Sequence, residues 1–190
     1  MGGSIMSENI FFDINDLKYC GSNVIIGKTV RIRQPHLVII GDGTIIDDFT
    51  YISSAFEIGK YCHISSNVCI SGGNGKLLMG DYSGLSSHVS VHCGSSDYTS
   101  VSMDLPSVDE NDRFGGITED VTIGEFVVVG AHSCILPGSM LPNFSAYGAY
   151  TLISKVKNKH LKEYHLYGGL KCRDLGKRDL KNYNKFMKFK

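Results

Sequence analysis

The segment Val129-Gly130-Ala131-His132-Ser133-Cys134-Ile135-Leu136-Pro137-Gly138-Ser139-Met140-Leu141 places an aliphatic residue at every sixth position. Outward from it the phase holds on both sides, with Ile123-Gly124 before and Tyr147-Gly148 and Ile153 after. An earlier set reads Ile26-Gly27, Ile32, Ile40-Gly41, Ile46-Asp47, Ile52, Ile58-Gly59, Ile64 and Ile70, then Met79-Gly80, Leu85 and Val91. Four places after the lead residue stands a small or apolar one, as in Val30, Thr44, Thr50, Cys62, Val68, Ser83, Val89, Val127, Ser133, Ser139, Ser145 and Thr151.

A period of six matches neither the 3.6 of an α-helix nor the 2 of a long strand. It matches a short strand followed by a corner. Strand side chains alternate, so the lead aliphatic and the small residue two places before it both point inward. The Gly or Asp after the lead position suits a tight corner. Three hexads close one triangular coil, and coils stack about 4.8 Å apart as parallel strands. The expected fold is all-β, a parallel β-helix.

At 190 residues, one domain is expected. A hydrophobic content of 42% suffices for a core, and no apolar run is long enough for a membrane span. Met1-Gly2-Gly3-Ser4-Ile5-Met6 has neither the basic flank nor the apolar core of a signal peptide, so the expected location is cytoplasmic. The six cysteines (Cys20, Cys62, Cys69, Cys93, Cys134 and Cys172) show no CxxC spacing, which argues for reduced thiols and against a zinc site. Net charge is zero but segregated: from Lys155 onward there are 12 Lys and Arg against 3 Asp and Glu, leaving 7 against 16 in the body. Such a tail is either a solvated surface or a partner for phosphates. No nucleic-acid recognition motif accompanies it.

The organisation expected is an N-terminal cap over 1–25, coils over 26–155 and a basic segment over 156–190. Asp13 or Asn15 would start a short capping element. Between coils, residues 94–120 lose the hexad phase, and loops of that length inside a compact solenoid are usually functional or disordered. A smaller insertion falls at Gly72-Gly73-Asn74-Gly75. Leu180, Tyr183 and Met187 are spaced for one face of a C-terminal helix.

Hexads such as Ile123-Gly124-Glu125-Phe126-Val127-Val128 resemble those of the hexapeptide-repeat acyltransferases, whose coils wind left-handed. Gly84-Leu85-Ser86-Ser87-His88-Val89-Ser90-Val91 with Ser96-Asp97-Tyr98 is similar to a subgroup that acylates nucleotide-linked amino sugars. The stretch from Val129 to Gly138, with Ala146-Tyr147-Gly148-Ala149, resembles the coils that lie beside acetyl-CoA in that family. Within that subgroup the chain resembles the N-acetyltransferases of 4-amino-4,6-dideoxyhexoses, perosamine included, in O-antigen and lipopolysaccharide synthesis. The resemblance implies acetyl-CoA as co-substrate, no metal, a nucleotide-linked amino sugar as acceptor, and a homotrimer with sites between subunits. It also implies that the 94–120 loop covers the site of a neighbouring subunit.

Acyl transfer from a thioester needs a base, a slot for the pantetheine arm and donors for the oxyanion. Counting hexads puts Leu85 and Val129 one coil apart, so His88 and His132 stack on one corner with Asn67 a coil earlier, beside the departure point of the loop. His88 is therefore the leading base, with Asp97 or solvent as alternatives. In the galactoside and maltose branches the histidine follows the strand matching Val89-Ser90-Val91, where this chain has Gly94-Ser95-Ser96-Asp97. His92, one residue after Val91, points outward and ranks lower. Asn67, Ser96, Tyr98 and His132 are the expected substrate contacts. Gly130, Ala131, Gly148 and Ala149 offer backbone to pantetheine, and Lys155, Lys171 and Arg173 are the expected phosphate partners. Gly168-Gly169-Leu170-Lys171-Cys172-Arg173 departs from the family's closing Ala-Gly-x-Pro-Ala-Lys turn. Competing readings are a sugar O-acetyltransferase, a γ-type carbonic anhydrase using His88, His92 and His132, and a noncatalytic trimeric solenoid.

Overall fold

Short parallel strands, two to four residues each, wrap into a three-sided β-solenoid in a computed structural model that describes residues 9–179. The first face carries Tyr19–Cys20, Val38–Ile40, Ala55–Ile58, Lys76–Met79, Val121–Ile123 and Met140–Leu141. The second carries Ile25–Ile26, Ile45–Ile46, His63–Ile64, Gly84–Leu85, Val128–Val129 and Ala146–Tyr147, extended by His165–Gly168 and Arg173–Lys177. The third carries Arg31–Ile32, Tyr51–Ile52, Cys69–Ser71, Ser90–His92, Cys134–Ile135 and Leu152–Ile153.

Register is set by the lead aliphatics. Ile26 pairs with Ile46, Ile46 with Ile64, Ile64 with Leu85, Leu85 with Val129 and Val129 with Tyr147. All six are buried, and together with the leads of the other two faces they fill the interior. A one-residue slip would turn each of them to solvent, which is why the phase survives the insertions. The small residues four places on explain how corners close. Thr44, Ser83 and Ser133 are buried, and their hydroxyls donate to the carbonyls of Gly59, Gly124 and Gly148 in the next coil. The same oxygens accept from the amides of Cys62, Val127 and Thr151. A buried hydroxyl satisfied in both roles avoids the desolvation cost of an orphaned polar group.

Apart from residues 27–30, each first or second corner (between the first and second or the second and third faces) turns through one left-handed residue. In this chain these are rarely glycine: Tyr61, Asn67, Tyr82, His88, Phe126, His132, Phe144 and Tyr150 have φ between 53° and 64°. Left-handed backbone costs a side-chain-bearing residue about 1–2 kcal/mol. Ring stacking offsets that cost: Tyr61, Tyr82, Phe126, Phe144 and Tyr164 form a continuous ladder with centroids 4.7–5.4 Å apart.

The ends differ from the expected boundaries. Asp13 caps a 3-10 turn over Ile14–Asp16, and Tyr19–Cys20 already pairs with Ile39–Ile40, so coiling begins before Ile26. After the last coil, Lys155–His160 forms a 3-10 turn. Residues 156–179 of the basic segment then hold an antiparallel hairpin, His165–Gly168 against Arg173–Lys177. Leu180, Tyr183 and Met187 lie outside the described residues. The interior at this end is filled by Tyr147 and Tyr167, which seal the coil with stacked rings 5.4 Å apart.

The 94–120 segment is an ordered arm. Gly94–Ser96 pairs antiparallel with Gly116–Thr118, a further bridge joins Met103 to Phe114, and Arg113 donates to the carbonyls of Pro106 and Val108. It leaves at the third corner (between the third face and the next coil's first), where the amide of Glu119 bonds the carbonyl of Cys93. The Gly72 insertion sits one coil below at the same corner, and a Cβ at Gly72 would collide with the backbone of Gly94.

Candidate active site

The second corner collects the residues that carry chemistry. With Leu85 paired to Val129, His88 and His132 fall in one column, their rings 4.7 Å apart and within 4° of parallel. Tyr150 continues the stack on His132 at 4.9 Å and 6°. Asn67 occupies the slot below His88 with the same left-handed backbone, φ 62°. Backbone links from the amides of His88, His132 and Tyr150 to the carbonyls of Ser66, Ser87 and Ala131 hold the column in line. Asn67, His88, His132 and Tyr150 are all solvent-exposed, so the imidazole of His88 is open to a substrate.

Beside the stack runs a strip of backbone with unused donors. At the first corner, three of the amides at the equivalent place are taken by side chains of the next coil: Ser22 by Asp42, Lys60 by Asp81 and Glu125 by Asn143, at 2.8–2.9 Å. At the second corner the corresponding positions are Ala131 and Ala149, which have no acceptor to offer. The N–H groups of Ala131 and Ala149 make no hydrogen bond among the described residues. Gly148 adds room, since a Cβ there would meet only the Tyr167 carbonyl at 3.6 Å, an ordinary contact. A glycine not needed for packing marks a place where another backbone or a ligand approaches closely. Two open donors beside an imidazole can hold an amide-bearing chain or a developing oxyanion.

The three expected cations divide. Gly168 lies next to Gly148 on the second face, so Lys171 and Arg173 project from the turn and strand at the upper end of the strip. The turn that replaces the family's closing motif is a reversal with Gly169 at φ 75°. Lys155 stands elsewhere. At the third corner its Nζ pairs with Glu119 at 2.8 Å, bracing the root of the arm.

The arm's residues are likewise apart from His88 within one chain. The expectation that His88 and His132 stand beside the loop's departure point is corrected, because the arm leaves one full face away, at the third corner. Ser96 lies in the first arm strand, and Tyr98 beyond it is 90% exposed. The Asp97 carboxylate accepts from the amide and hydroxyl of Thr99 at 2.8 and 2.6 Å, which lowers its pKa and keeps it ionised. His92, ranked lower in the sequence, is half-buried at the arm's root with Nδ1 3.3 Å from the Ser71 hydroxyl. Burial lowers its pKa, so it is a neutral imidazole at pH 7.

Sequence reasoning missed Tyr150 and the aromatic ladder of the first corner. Both occupy the place three after a lead residue, the phase that found His88 and His132. Among the described residues no group of three or more His, Cys, Asp or Glu is arranged to hold a metal ion.

Known proteins are similar to this chain in sequence and fold. The dTDP-4-amino-4,6-dideoxy-D-glucose acyltransferase of Escherichia coli is 31% identical over 142 residues, 73% of this chain and 72% of that protein. This chain belongs to the same family of hexapeptide-repeat acyltransferases. As an acyltransferase it also matches solved relatives. AntD, an N-acyltransferase from Bacillus cereus in complex with dTDP and 3-hydroxybutyryl-CoA, has a TM-score of 0.82 and 26% identity over 95% of this chain and 96% of that one. A variant of AntD with dTDP-4-amino-4,6-dideoxyglucose and coenzyme A gives the same TM-score and identity over 96% and 100%. No family model matches the acyltransferase chain. Among its described residues no helix is long and apolar enough to cross a membrane.

Proposed function

We propose that this acyltransferase moves an acyl group, acetyl or slightly larger, from coenzyme A to the 4-amino group of a nucleotide-linked 4-amino-4,6-dideoxyhexose. The relatives named for dTDP-linked sugars favour a dTDP-linked acceptor over GDP-perosamine. Surface polysaccharide synthesis is the process such a product serves. The cytoplasm, where nucleotide sugars and CoA thioesters meet, is the expected location. In a homotrimer the exposed arm of one subunit would reach the second corner of its neighbour. That would supply Ser96, Asp97 and Tyr98 to Asn67, His88 and His132.

In this reading the pantetheine arm lies along Gly130-Ala131 and Gly148-Ala149, with Lys171 and Arg173 toward the phosphates. Lys155 is set aside from that role because Glu119 already engages it. The neutral amine attacks the thioester carbonyl, forming the N–C bond. His88 accepts the amine proton, and an open alanine N–H receives the oxyanion. Collapse breaks the C–S bond, and the proton passes from His88 to the departing thiolate. Before attack Asp97, held ionised, pairs with the acceptor's ammonium, which loses its first proton to solvent to give the neutral amine.

The observation that carries this reading is the exposed His88–His132 stack beside the unfilled amides of Ala131 and Ala149. Free-thiol release with acetyl-CoA and dTDP-4-amino-4,6-dideoxyglucose tests it. His88→Ala should lower kcat by about a hundredfold or more, as deletion of a general base does. Unchanged turnover would move the base to Asp97 or solvent. Release with hydroxy sugars and none with amino sugars would favour the O-acyl alternative.

A further inference from the structure

The second face carries a groove of about 310 Å³ centred on Gly84. The column of outward residues on this face runs Ile25, Ile45, His63, Gly84, Val128, Ala146 and Leu166, so Gly84 is the one member without a side chain. Packing does not demand that glycine. A Cβ there would meet only the His63 carbonyl, at 3.6 Å, whereas at Gly59 or Gly124 it would run into the side chain of Asp81 or Asn143. Nor does the backbone there adopt the left-handed conformation. Glycine inside a strand weakens it and, absent a packing reason, marks close approach by something else.

The groove's walls indicate what approaches. His63 is fixed by its Nε2, 2.8 Å from Asp47, and its Nδ1 has no hydrogen-bond partner among the described residues. The hydroxyls of Ser65, Ser86 and Tyr82 have no hydrogen-bond partner among the described residues. Tyr82 has Tyr61 on one ring face and Phe126 on the other, so it offers its hydroxyl edge and not a stacking surface. Val128, 45% exposed, forms an apolar wall. Several hydroxyls and an imidazole around one apolar wall, with the exposed Tyr61 ring at the rim, suit a deoxysugar ring, which can stack on an aromatic face as well as accept and donate hydrogen bonds. The volume is at the small end for ligand sites, about 300–1,000 Å³, and so suits one ring of a larger molecule. The larger groove on the first face is lined by Glu57, Asp81 and Glu125, a poor setting for a ligand bearing a diphosphate.

We propose that the Gly84 groove seats the hexose ring of the acceptor and that Gly84 and Val128 determine which sugars are accepted. The proposal rests on the acyl-transfer reading above. Ser86 lines the groove two residues before His88, so the ring lies on the second face with its amine directed to the second corner. Val128 contacts the deoxygenated C6 methyl, and the hydroxyls meet the remaining ring substituents.

Steady-state kinetics of Gly84→Val with dTDP-4-amino-4,6-dideoxyglucose and acetyl-CoA test this. The acceptor KM should rise about tenfold or more, the range for steric change in a specificity pocket, with the acetyl-CoA KM and Tm unchanged. Should Gly84→Val fold poorly, Val128→Trp fills the groove from its exposed wall and should give the same selective rise. A folded variant with both KM values unchanged overturns the groove assignment and leaves the acyl-transfer reading intact. A wild-type protein that acylates no nucleotide-linked amino sugar sinks that reading instead.

Discussion

The first and second corners share one backbone path, yet in the upper coils the first is filled by the protein itself, while the second, closed lower down by Asp48 on Thr29, is left open at Ala131 and Ala149. At the first, five aromatic rings stack without a break, and side chains of Asp42, Asp81 and Asn143 take the amides of Ser22, Lys60 and Glu125. Arg178 also lays its guanidinium across the carbonyls of Phe126, Phe144 and Ser145. At the second, polar rings replace Phe and Tyr at His88 and His132, and alanines replace the acceptors. The same geometry thus serves stability where its donors are satisfied internally and chemistry where they are not.

The largest expected effect comes from making the second corner resemble the first. Ala149→Asp, placed to cap the Ala131 amide as Asp81 caps that of Lys60, should lower kcat/KM for acetyl-CoA by about a hundredfold or more, the scale of losing an oxyanion donor. Tm should hold or rise. Full activity with the amide capped would break the comparison.

Disrupting the first corner should do the reverse. Tyr82→Ala removes two ring contacts and should cost about 1–3 kcal/mol, seen as a lower urea midpoint, while kcat at the remaining folded fraction stays close to wild type. Because Tyr82 also edges the Gly84 groove, acceptor KM is the parameter expected to shift.

A smaller effect concerns acid. Hydrogen bonds from the amide and hydroxyl of Thr29 lower the pKa of Asp48, and Lys60 and the Ser22 amide lower that of Asp42. Carboxylates depressed in the folded state contribute stability above their unfolded pKa of about 3.9, and the contribution disappears as pH falls through the folded value. Wild-type Tm should therefore drop on acidification below about pH 4, and the drop should be shallower in Asp48→Ala. Parallel curves would remove these links from the account.

How much of this was legible in the chain follows from which interactions are periodic. The hexad phase placed His88, His132 and Asn67 in one column, because register is fixed by inward aliphatics that the sequence displays openly. The loop falls at 94–120 as its lost phase indicates, but it leaves one face beyond the His88 corner, since a corner and the end of the following strand are only four residues apart. The arm's pairing rests on Gly94–Ser96 meeting Gly116–Thr118, short polar strands with no alternating pattern to announce them. Lys155 looked like a phosphate partner by proximity in sequence, and only the fold reveals Glu119 beside it. Gly84 reads as an ordinary hexad glycine until the space around its Cα is known.

The central claim is that the amides of Ala131 and Ala149 are held open for the acyl donor. Amide hydrogen exchange followed by NMR, with and without coenzyme A, tests it most directly. Both amides should exchange quickly in the free protein and become protected on binding, while those of Lys60 and Glu125 stay slow throughout. Protection already present in the free protein, or exchange at the two alanines indifferent to coenzyme A, would contradict it.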